Sequence, residues 1–381
     1  MTNTQEEKRT GCVQYVRDDV DSLVLWHKMR HSVVSSTESA ALFGSSPYQT
    51  KLELFARKSA PFDEEATRLV VQEELKRPNL TDRRYWGRLL EPKIAEAYAE
   101  ATGQPFDVHE WTNRGNAVVA PWYWNGNHVM RCKPFVYSPA TRMGSSFDYL
   151  ATNCDDEKVH RIVECKNVDR LAYMQRWARD RDEDFAAVPE HIYIQVQHQL
   201  HVLNTCLSDP KLPPTDVGQG HFAGADVVAM IGGNQLKIIP VDTNKAVGCA
   251  IEEMIARFWD DVASGRAPDA DYTRDAELIA NRNLHMVDDT VLQADEQLEE
   301  LIRVYVEAGE ARRQAESQEK EAKAKILDQV GNASKVLSAL GTLSCGVSKE
   351  SPGKLITDDM VGTYTGARKA FRQFRFSRAK S

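Results

Sequence analysis

The stretch Ile162-Val163-Glu164-Cys165-Lys166 decides the predicted fold. Its first residues are apolar and its last residues include the charged Glu164 and Lys166. This pattern is typical of a strand that emerges from a buried sheet. Because side chains alternate faces along a strand, Glu164 and Lys166 point the same way and Cys165 points to the other face. A hairpin with the preceding predicted strand would bring Asp148 beside Glu164.

Two carboxylates next to a lysine suit the cleavage of a phosphodiester. Carboxylate oxygens can hold Mg²⁺ and leave waters on it. The metal lowers the pKa of a water and neutralises charge on the phosphate, and a lysine can stabilise the developing negative charge. We therefore predict Asp148, Glu164 and the backbone carbonyl of Cys165 as metal ligands, and Lys166 as catalytic. An isolated E-x-K is more often a solvated strand end than a catalytic motif. Motifs elsewhere in the chain are therefore needed to choose between these two interpretations.

The composition is that of an ordinary globular protein of 381 residues with a formal net charge of -8. An acidic average argues mildly against nucleic-acid binding, but charge has to be considered locally. The seven cysteines form no C-x-x-C pair, which favours reduced thiols over disulfides, zinc or an iron–sulfur cluster. No apolar run approaches a membrane span. We expect a soluble cytoplasmic protein with no membrane partner, in the host cytoplasm if a phage encodes it.

The chain divides into four predicted parts by composition. They are a flexible arm (1–20), a main α/β domain (21–275), a helical, coiled-coil-like extension (276–345) and a basic tail (346–381). The extension is either a cover on the main domain or a surface for assembly or partner docking. The end of the tail has six basic residues, no acid and three phenylalanines. It suits phosphate contact and base stacking, or equally an amphipathic strand.

Several separate blocks give Asp148 and Glu164-x-Lys166 a wider context. The pattern resembles the PD-(D/E)xK nucleases and, more narrowly, the lambda-type exonuclease and YqaJ-like viral recombinase family. The likeness extends over about residues 22–272. One block is Trp86-Gly87-Arg88-Leu89-Leu90-Glu91-Pro92. The resemblance implies that Glu91 reaches the metal site; an acid favoured near a helix N-terminus is the alternative.

A second block, Tyr193–Leu200, contains a Q-x-Q near a predicted helix start. The resemblance implies that one of these glutamines approaches the scissile phosphate or its water. We favour Gln197, and Gln195 stays open. A helix rich in glutamine and histidine is otherwise a polar surface or packing face. His198 and His201 lack the further ligands that a metal site needs.

A third block, Trp26–Arg30 with Val33–Glu38, resembles the segment of lambda exonuclease that holds a terminal 5′ phosphate. The resemblance implies a forked contact from Arg30 and a hydroxyl contact from Thr37, where the family usually has serine. Ser36 is the alternative hydroxyl. A hydroxyl near a helix start is otherwise an N-cap.

The resemblance implies a central mixed sheet flanked by helices, with a C-terminal helical extension. It implies an exonuclease that needs Mg²⁺, or Mn²⁺ as a substitute, and digests the 5′-ended strand of linear duplex DNA, leaving 3′ single strands. It further implies a homo-oligomeric ring, often a trimer, and a single-strand annealing protein as partner in phage-type recombination. The competing hypotheses are a structure-specific endonuclease and a catalytically silent DNA-end binder or scaffold. The sequence has no G-x-x-x-x-G-K-[ST] motif, which argues against an ATP-driven motor.

Overall fold

The structure is a computed structural model that describes most of the chain. The described residues are 12–17, 19–76, 80–103, 106–107, 117–119, 124–125, 128–129, 132–152, 159–177, 188–206, 221–281 and 290–346. The basic tail 346–381 lies outside them except for its first residue.

Helices make up much of the described chain. They are α1 (Val20–Ser32), α2 (Ser36–Leu42), α3 (Lys51–Ser59), α4 (Glu64–Lys76), α5 (Arg83–Thr102), α6 (Arg170–Arg176), α7 (Glu190–Cys206), α8 (Lys245–Ala263), α9 (Ala276–Asn281) and α10 (Glu296–Val330).

Strands lie mainly between α5 and α8. They are β1 (Cys12–Arg17), β2 (Val34–Ser35), β3 (Phe106–Asp107), β4 (Ala117–Val119), β5 (Trp124–Asn125), β6 (His128–Val129), β7 (Cys132–Ser138), β8 (Met143–Ser146), β9 (Tyr149–Thr152), β10 (Val159–Val168), β11 (His221–Ile231), β12 (Gln235–Asp242), β13 (Lys335–Ser338) and β14 (Gly341–Ser344).

The main sheet has the strand order β12-β11-β10-β9-β4-β3 and is mixed. β10 pairs antiparallel with β9 and parallel with β11. The predicted hairpin of β11 and β12 is present and turns through Gly232 and Gly233, whose positive φ values of 58° and 77° favour glycine. This sheet and its flanking helices confirm the predicted α/β class.

Alternate side chains of β10 enter two separate apolar layers, as the period of a strand requires. Ile162 packs in the large cluster with α7 and α8, whereas Val163 packs under α5 with Tyr98. Glu164 continues the face of Ile162, and Cys165 continues that of Val163. The sheet therefore presents the predicted site residues between α5 and α7.

Helix α7 is buried on nearly all sides. It packs against α2, α8, β7, β8 and β11. Apolar positions such as Val196 and Leu200 are fully covered, and so are Gln197, His198 and Gln199. Buried polar groups need hydrogen-bond partners. A polar surface helix, one of the two alternatives for this stretch, is thereby excluded, whereas the other, a polar packing face, matches the burial of Gln197, His198 and Gln199.

A second sheet, in the order β1-β7-β8-β2, differs from the predicted N-terminal arm. Residues 12–17 of the expected flexible segment 1–20 form a strand that pairs antiparallel with β7. The expectation of a loose arm is wrong for these residues, because pairing with β7 satisfies backbone groups whatever the polarity of the side chains. Residues 1–11 lie outside the described part of the chain.

The chain divides into two compact units, residues 1–276 and 277–381. The described part of the second unit is dominated by α10, which has no buried residue, and by the hairpin of β13 and β14. The helical C-terminal part is confirmed, although strands follow α10 within the predicted extension. Among the described helices, none is long and apolar enough to span a membrane.

Candidate active site

The end of β10 brings the predicted acids together. The Asp148 carboxylate accepts a hydrogen bond from the backbone N–H of Cys165 at 2.9 Å, which fixes Asp148 beside the strand. Glu164 Oε1 accepts from Lys166 Nζ at 2.5 Å. Burial alone would lower the pKa of Lys166, but the charges of Glu164 and Asp148 outweigh burial and raise it. Lys166 is therefore a cation in the folded protein.

Helix α7 supplies two glutamines to this group. Gln195 Nε2 donates to Glu164 Oε1 at 2.7 Å, and its Oε1 accepts from Lys166 at 3.2 Å. Gln199 Nε2 donates to Glu164 Oε2 at 2.8 Å. Residues four apart share one face of a helix, so both glutamines face the strand end. We call Asp148, Glu164, Lys166, Gln195 and Gln199 the acid–lysine cluster.

Gln197 lies elsewhere, which corrects the preference expressed from sequence. Its Nε2 donates to the carbonyl of Asp242, and its Oε1 accepts from the N–H of Asn244, both at 2.8 Å. Two residues along a helix correspond to a rotation of about 200°, so Gln197 points away from Gln195. Gln199 was not predicted from the sequence, although its i+4 spacing from Gln195 is a signal that could have identified it.

Glu91 reaches the same region from α5. It lines one cavity of about 410 Å³ together with Asp148, Glu164 and Lys166. Burial, followed by the charges of Asp148, Glu91 and Glu164, raises the pKa of the Cys165 thiol well above its usual value. The side chain of Cys165 is thus a neutral thiol, and its surroundings are those of an acidic pocket.

The donor set at this strand end fits a hard cation. No group of three or more His, Cys, Asp or Glu side chains in the described residues is already arranged around a metal position. Mg²⁺ does not need one, because it is usually held by one or two carboxylates and keeps several waters. A carboxylate accepts about four hydrogen bonds, and the three donated to Glu164 leave room for a metal. Asp148, Glu164 and the Cys165 carbonyl would hold the ion, with Glu91 nearby.

The predicted phosphate-binding residues form a second group in the same cavity. Arg30 donates to Ser35 Oγ at 3.0 Å and to Thr37 Oγ1 at 3.2 Å, and lies over the ring of Trp26 at 4.6 Å. Ser36, the alternative hydroxyl, hydrogen-bonds Ser145 at 2.8 Å and is buried. We call Trp26, Arg30, Ser35 and Thr37 the Arg30 cluster.

Glu38 supports the Arg30 cluster from behind. Its buried carboxylate lies 3.9 Å from Arg30, 2.7 Å from Arg57 and 3.0 Å from Lys58, and it accepts from the N–H of Ser35. Burial opposes ionisation, but the three cations lower the pKa of Glu38. Because Glu38 is shared among three cations, it does not fully neutralise Arg30, which lines the cavity.

The cavity joins both clusters and includes residues that the sequence analysis did not assign. These are Trp26, Ser35, Arg84, Gly87, Arg88, Ile94, Phe135, Ser146, Asn167 and Gln199. Trp26 Nε1 donates to Ser146 Oγ at 3.4 Å, and Gln199 Nε2 donates to the Ser146 carbonyl at 3.3 Å, so Ser146 connects the two clusters. Of the predicted site residues, Gln197 alone does not line the cavity.

Comparison with known families accounts for this arrangement. Residues 25–208 match the model of the YqaJ-like viral recombinase domain. This segment, just under half of the chain, is similar to a YqaJ-like viral recombinase domain. It spans every residue of the acid–lysine cluster, the Arg30 cluster and Glu91. The match to this domain implies a nuclease that takes part in recombination.

Solved structures similar to this chain include two of an alkaline exonuclease from Laribacter hongkongensis. The first is 14% identical, covers 67% of this chain and 99% of that chain, and has a TM-score of 0.37. The second, of the same exonuclease in complex with dAMP, is 12% identical, covers 69% and 99%, and has a TM-score of 0.36. No curated protein matches the sequence.

In the matched segment, groups of opposite charge line one cavity. The acids Glu91, Asp148 and Glu164 line it with Lys166, and Arg30 lines it with the hydroxyls of Ser35 and Thr37. An acidic zone attracts a divalent cation, and a cationic zone attracts phosphate. The YqaJ-like domain can therefore hold a metal and a phosphate group in one cavity.

Proposed function

We propose that this protein is a Mg²⁺-dependent exonuclease that degrades the 5′-ended strand of linear double-stranded DNA in the 5′-to-3′ direction. The product would be a 3′ single-strand overhang for phage-type recombination by strand annealing. Mn²⁺ would substitute for Mg²⁺. The YqaJ-like domain supports a nuclease acting in recombination. To this coarser function the proposal adds the 5′-to-3′ polarity, the Mg²⁺ requirement and the preference for DNA ends.

One observation supports the polarity above all others. The acid–lysine cluster and the Arg30 cluster line a single cavity of about 410 Å³. A site that only cuts internal phosphodiesters has no need for a cation and hydroxyls reserved for a second phosphate. Arg30 with Thr37 would hold the terminal 5′ phosphate while the next phosphate lies at Asp148, Glu164 and Lys166.

The residues of the site would have separate roles in phosphodiester hydrolysis. Lys166, protonated and held by Glu164 and Gln195, would orient the attacking water and stabilise negative charge on the phosphate. Bound Mg²⁺ would neutralise phosphate charge and lower the pKa of that water. Water oxygen bonds to phosphorus, the bond from phosphorus to the 3′ oxygen breaks, and a proton reaches the departing 3′ oxygen. The shortened strand then has a new 5′ phosphate for Arg30.

Assembly and partners follow from the family resemblance. We propose a homo-oligomeric ring, often a trimer in such enzymes, that encloses duplex DNA. We also propose a single-strand annealing protein as the partner that receives the 3′ strand. The helices after residue 276 and the basic tail are candidate surfaces for either contact.

The test compares linear duplex with covalently closed circular DNA, in Mg²⁺, with 5′-phosphate or 5′-hydroxyl ends on the linear substrate. We expect mononucleotide release from linear DNA only, faster with the phosphate, and lost in Lys166→Ala. Arg30→Ala should reduce the preference for phosphorylated ends about tenfold, the loss of one charge-assisted contact.

Arg57→Ala is the matched control for Arg30→Ala. Arg57 also pairs with Glu38 but does not line the cavity, so the phosphate preference should persist. Cutting of closed circles would replace the proposal with a structure-specific endonuclease. Binding of ends without any metal-dependent cutting would replace it with a recombination scaffold.

A further inference from the structure

Gly87 lies inside α5, where glycine is unfavourable. A glycine within a helix costs about 1 kcal/mol relative to alanine. Its φ is not in the left-handed region, so the backbone conformation does not require glycine. A Cβ built on Gly87 would meet no atom within 4 Å. Neither conformation nor packing within the described residues explains it.

A second helical glycine shows the contrast. At Gly248 in α8, a Cβ would lie 2.6 Å from Nδ1 of His201, so close packing accounts for that glycine. Gly87 instead lines the same cavity as the acid–lysine cluster. The missing side chain leaves open space on the cavity wall. Glycine is useful where a backbone must be approached closely by a ligand.

Arg88 makes the same wall cationic. It lines the cavity, is exposed, and forms no hydrogen bond or ion pair with any residue that the structure describes. Arg84, one turn earlier on the same face, also lines the cavity but is held by Asp82 at 2.7 Å. Glu91 follows Arg88 by three residues, so this face of α5 leads directly to the metal-binding region. Arg88 is thus an exposed cation in the same cavity as the acid–lysine cluster, without a hydrogen bond or ion pair to another described residue.

We infer that Arg88 and the open surface at Gly87 bind a backbone phosphate of the DNA, distinct from the terminal phosphate assigned to Arg30. The guanidinium would pair with the phosphate oxygens, and the glycine would allow the sugar-phosphate chain to approach α5. This inference rests on the proposed nuclease function and adds a second phosphate contact, on α5, in the same cavity. It makes α5 a determinant of DNA binding as well as the source of Glu91.

The first test measures both the thermal stability and the DNA binding of Gly87→Ala. Alanine should raise the thermal midpoint of unfolding by about 2 °C, because it favours the helix and meets no neighbour. The same variant should bind a fluorescent, 5′-phosphorylated linear duplex more weakly in EDTA, and raise the KM for cutting in Mg²⁺. A glycine kept for structure alone would not show opposite effects on stability and binding. Gly309→Ala in α10 is the matched control, since Gly309 also has no neighbour within 4 Å but does not line the cavity.

The second test is the salt dependence of DNA binding by Arg88→Ala. Loss of one phosphate contact should weaken binding about tenfold and reduce the slope of log K against log salt by about one unit. Arg88→Lys should restore part of the slope. Arg257→Ala is the control: Arg257 is an exposed cation on α8, paired with Glu253, that does not line the cavity. Its slope should equal that of the wild type.

The experiments distinguish failure of the phosphate contact on α5 from failure of the proposed nuclease reaction. If the wild type cuts linear DNA while Gly87→Ala and Arg88→Ala bind it normally, the phosphate surface on α5 is wrong and the proposed reaction stands. If the wild type binds DNA without cutting it and Arg88→Ala still weakens binding, the reaction is wrong and the phosphate surface stands.

Discussion

Glu164 is hydrogen-bonded to three other members of the acid–lysine cluster. Its Oε1 accepts from Lys166 and Gln195, and its Oε2 accepts from Gln199. A carboxylate that is 3% exposed would be costly without such partners. The contacts hold the carboxylate in one orientation, and a fixed orientation is what a metal ligand requires.

Substitutions of Gln195 and Gln197 should have different effects. Gln195→Ala should lower kcat about 100-fold, because Lys166 and Glu164 both lose a positioning contact. Gln197→Ala should leave kcat near the wild-type value and lower the free energy of unfolding by about 2 kcal/mol, because it leaves the Asp242 carbonyl and Asn244 N–H unsatisfied. Nuclease kinetics and urea unfolding measure the two effects. A stable Gln197→Ala with the kinetic defect of Gln195→Ala would reverse the assignment.

The sequence identified some residues of the site better than others. Asp148, Glu164 and Lys166 follow from strand alternation and one hairpin, both of which are local. Ser35 was missed, although Arg30 contacts it, because three hydroxyl residues in a row offer equal candidates. Which hydroxyl faces Arg30 depends on how α2 packs, and that is a tertiary property.

At the scale of elements, α7 combines two roles. One face presents Gln195 and Gln199 to the sheet, and the rest is core. Its burial explains why a segment with several glutamines and histidines remains helical: each buried polar group that bonds offsets part of its desolvation. The sequence predicted the helix, but its position at the centre of the domain depends on α2 and α8.

His198 on α7 predicts how stability depends on pH. Its Nδ1 lies 2.5 Å from Ser39 Oγ, and burial, followed by the charge of His201, lowers the pKa of His198 to about 3. Between pH 3 and 6.5 the unfolded chain binds the proton and the folded chain does not. Folding stability therefore falls as pH drops below about 6.5, by about 2 kcal/mol between pH 7 and pH 5 from this residue.

His198→Asn tests this dependence, because asparagine keeps a polar group near Ser39 and does not titrate. Urea unfolding at pH 7 and pH 5 should show a smaller acid-induced loss of unfolding free energy in the variant than in the wild type. Equal losses in both proteins would mean that His198 does not control acid stability.

At the scale of the whole molecule, the apolar clusters all belong to the first unit, residues 1–276. Helix α10 in the second unit has no buried residue, and exposed apolar side chains such as Leu301 and Tyr305 interrupt its charged surface. A helix with this distribution gains little from an intramolecular core.

Removal of residues 277–381 should therefore leave the first unit folded. We expect its thermal midpoint to remain within a few degrees of the full chain, since no described core residue is lost. Circular dichroism during heating measures this. A large fall in the midpoint would show that the second unit stabilises the first. DNA affinity measured on the same truncated chain would show whether the basic tail contributes to binding.

The sequence alone predicted the strand that carries Glu164 and Lys166, the α/β class and a change in composition after about residue 275. These features depend on periodicity and on short-range pairing, which neighbouring residues encode directly. Tertiary structure alone decided that Gln195 and Gln199, rather than Gln197, meet Glu164. It also placed Gly87 and Arg88 on the cavity wall. These outcomes depend on how α5 and α7 are rotated against the sheet, because that rotation follows from the packing of the entire core.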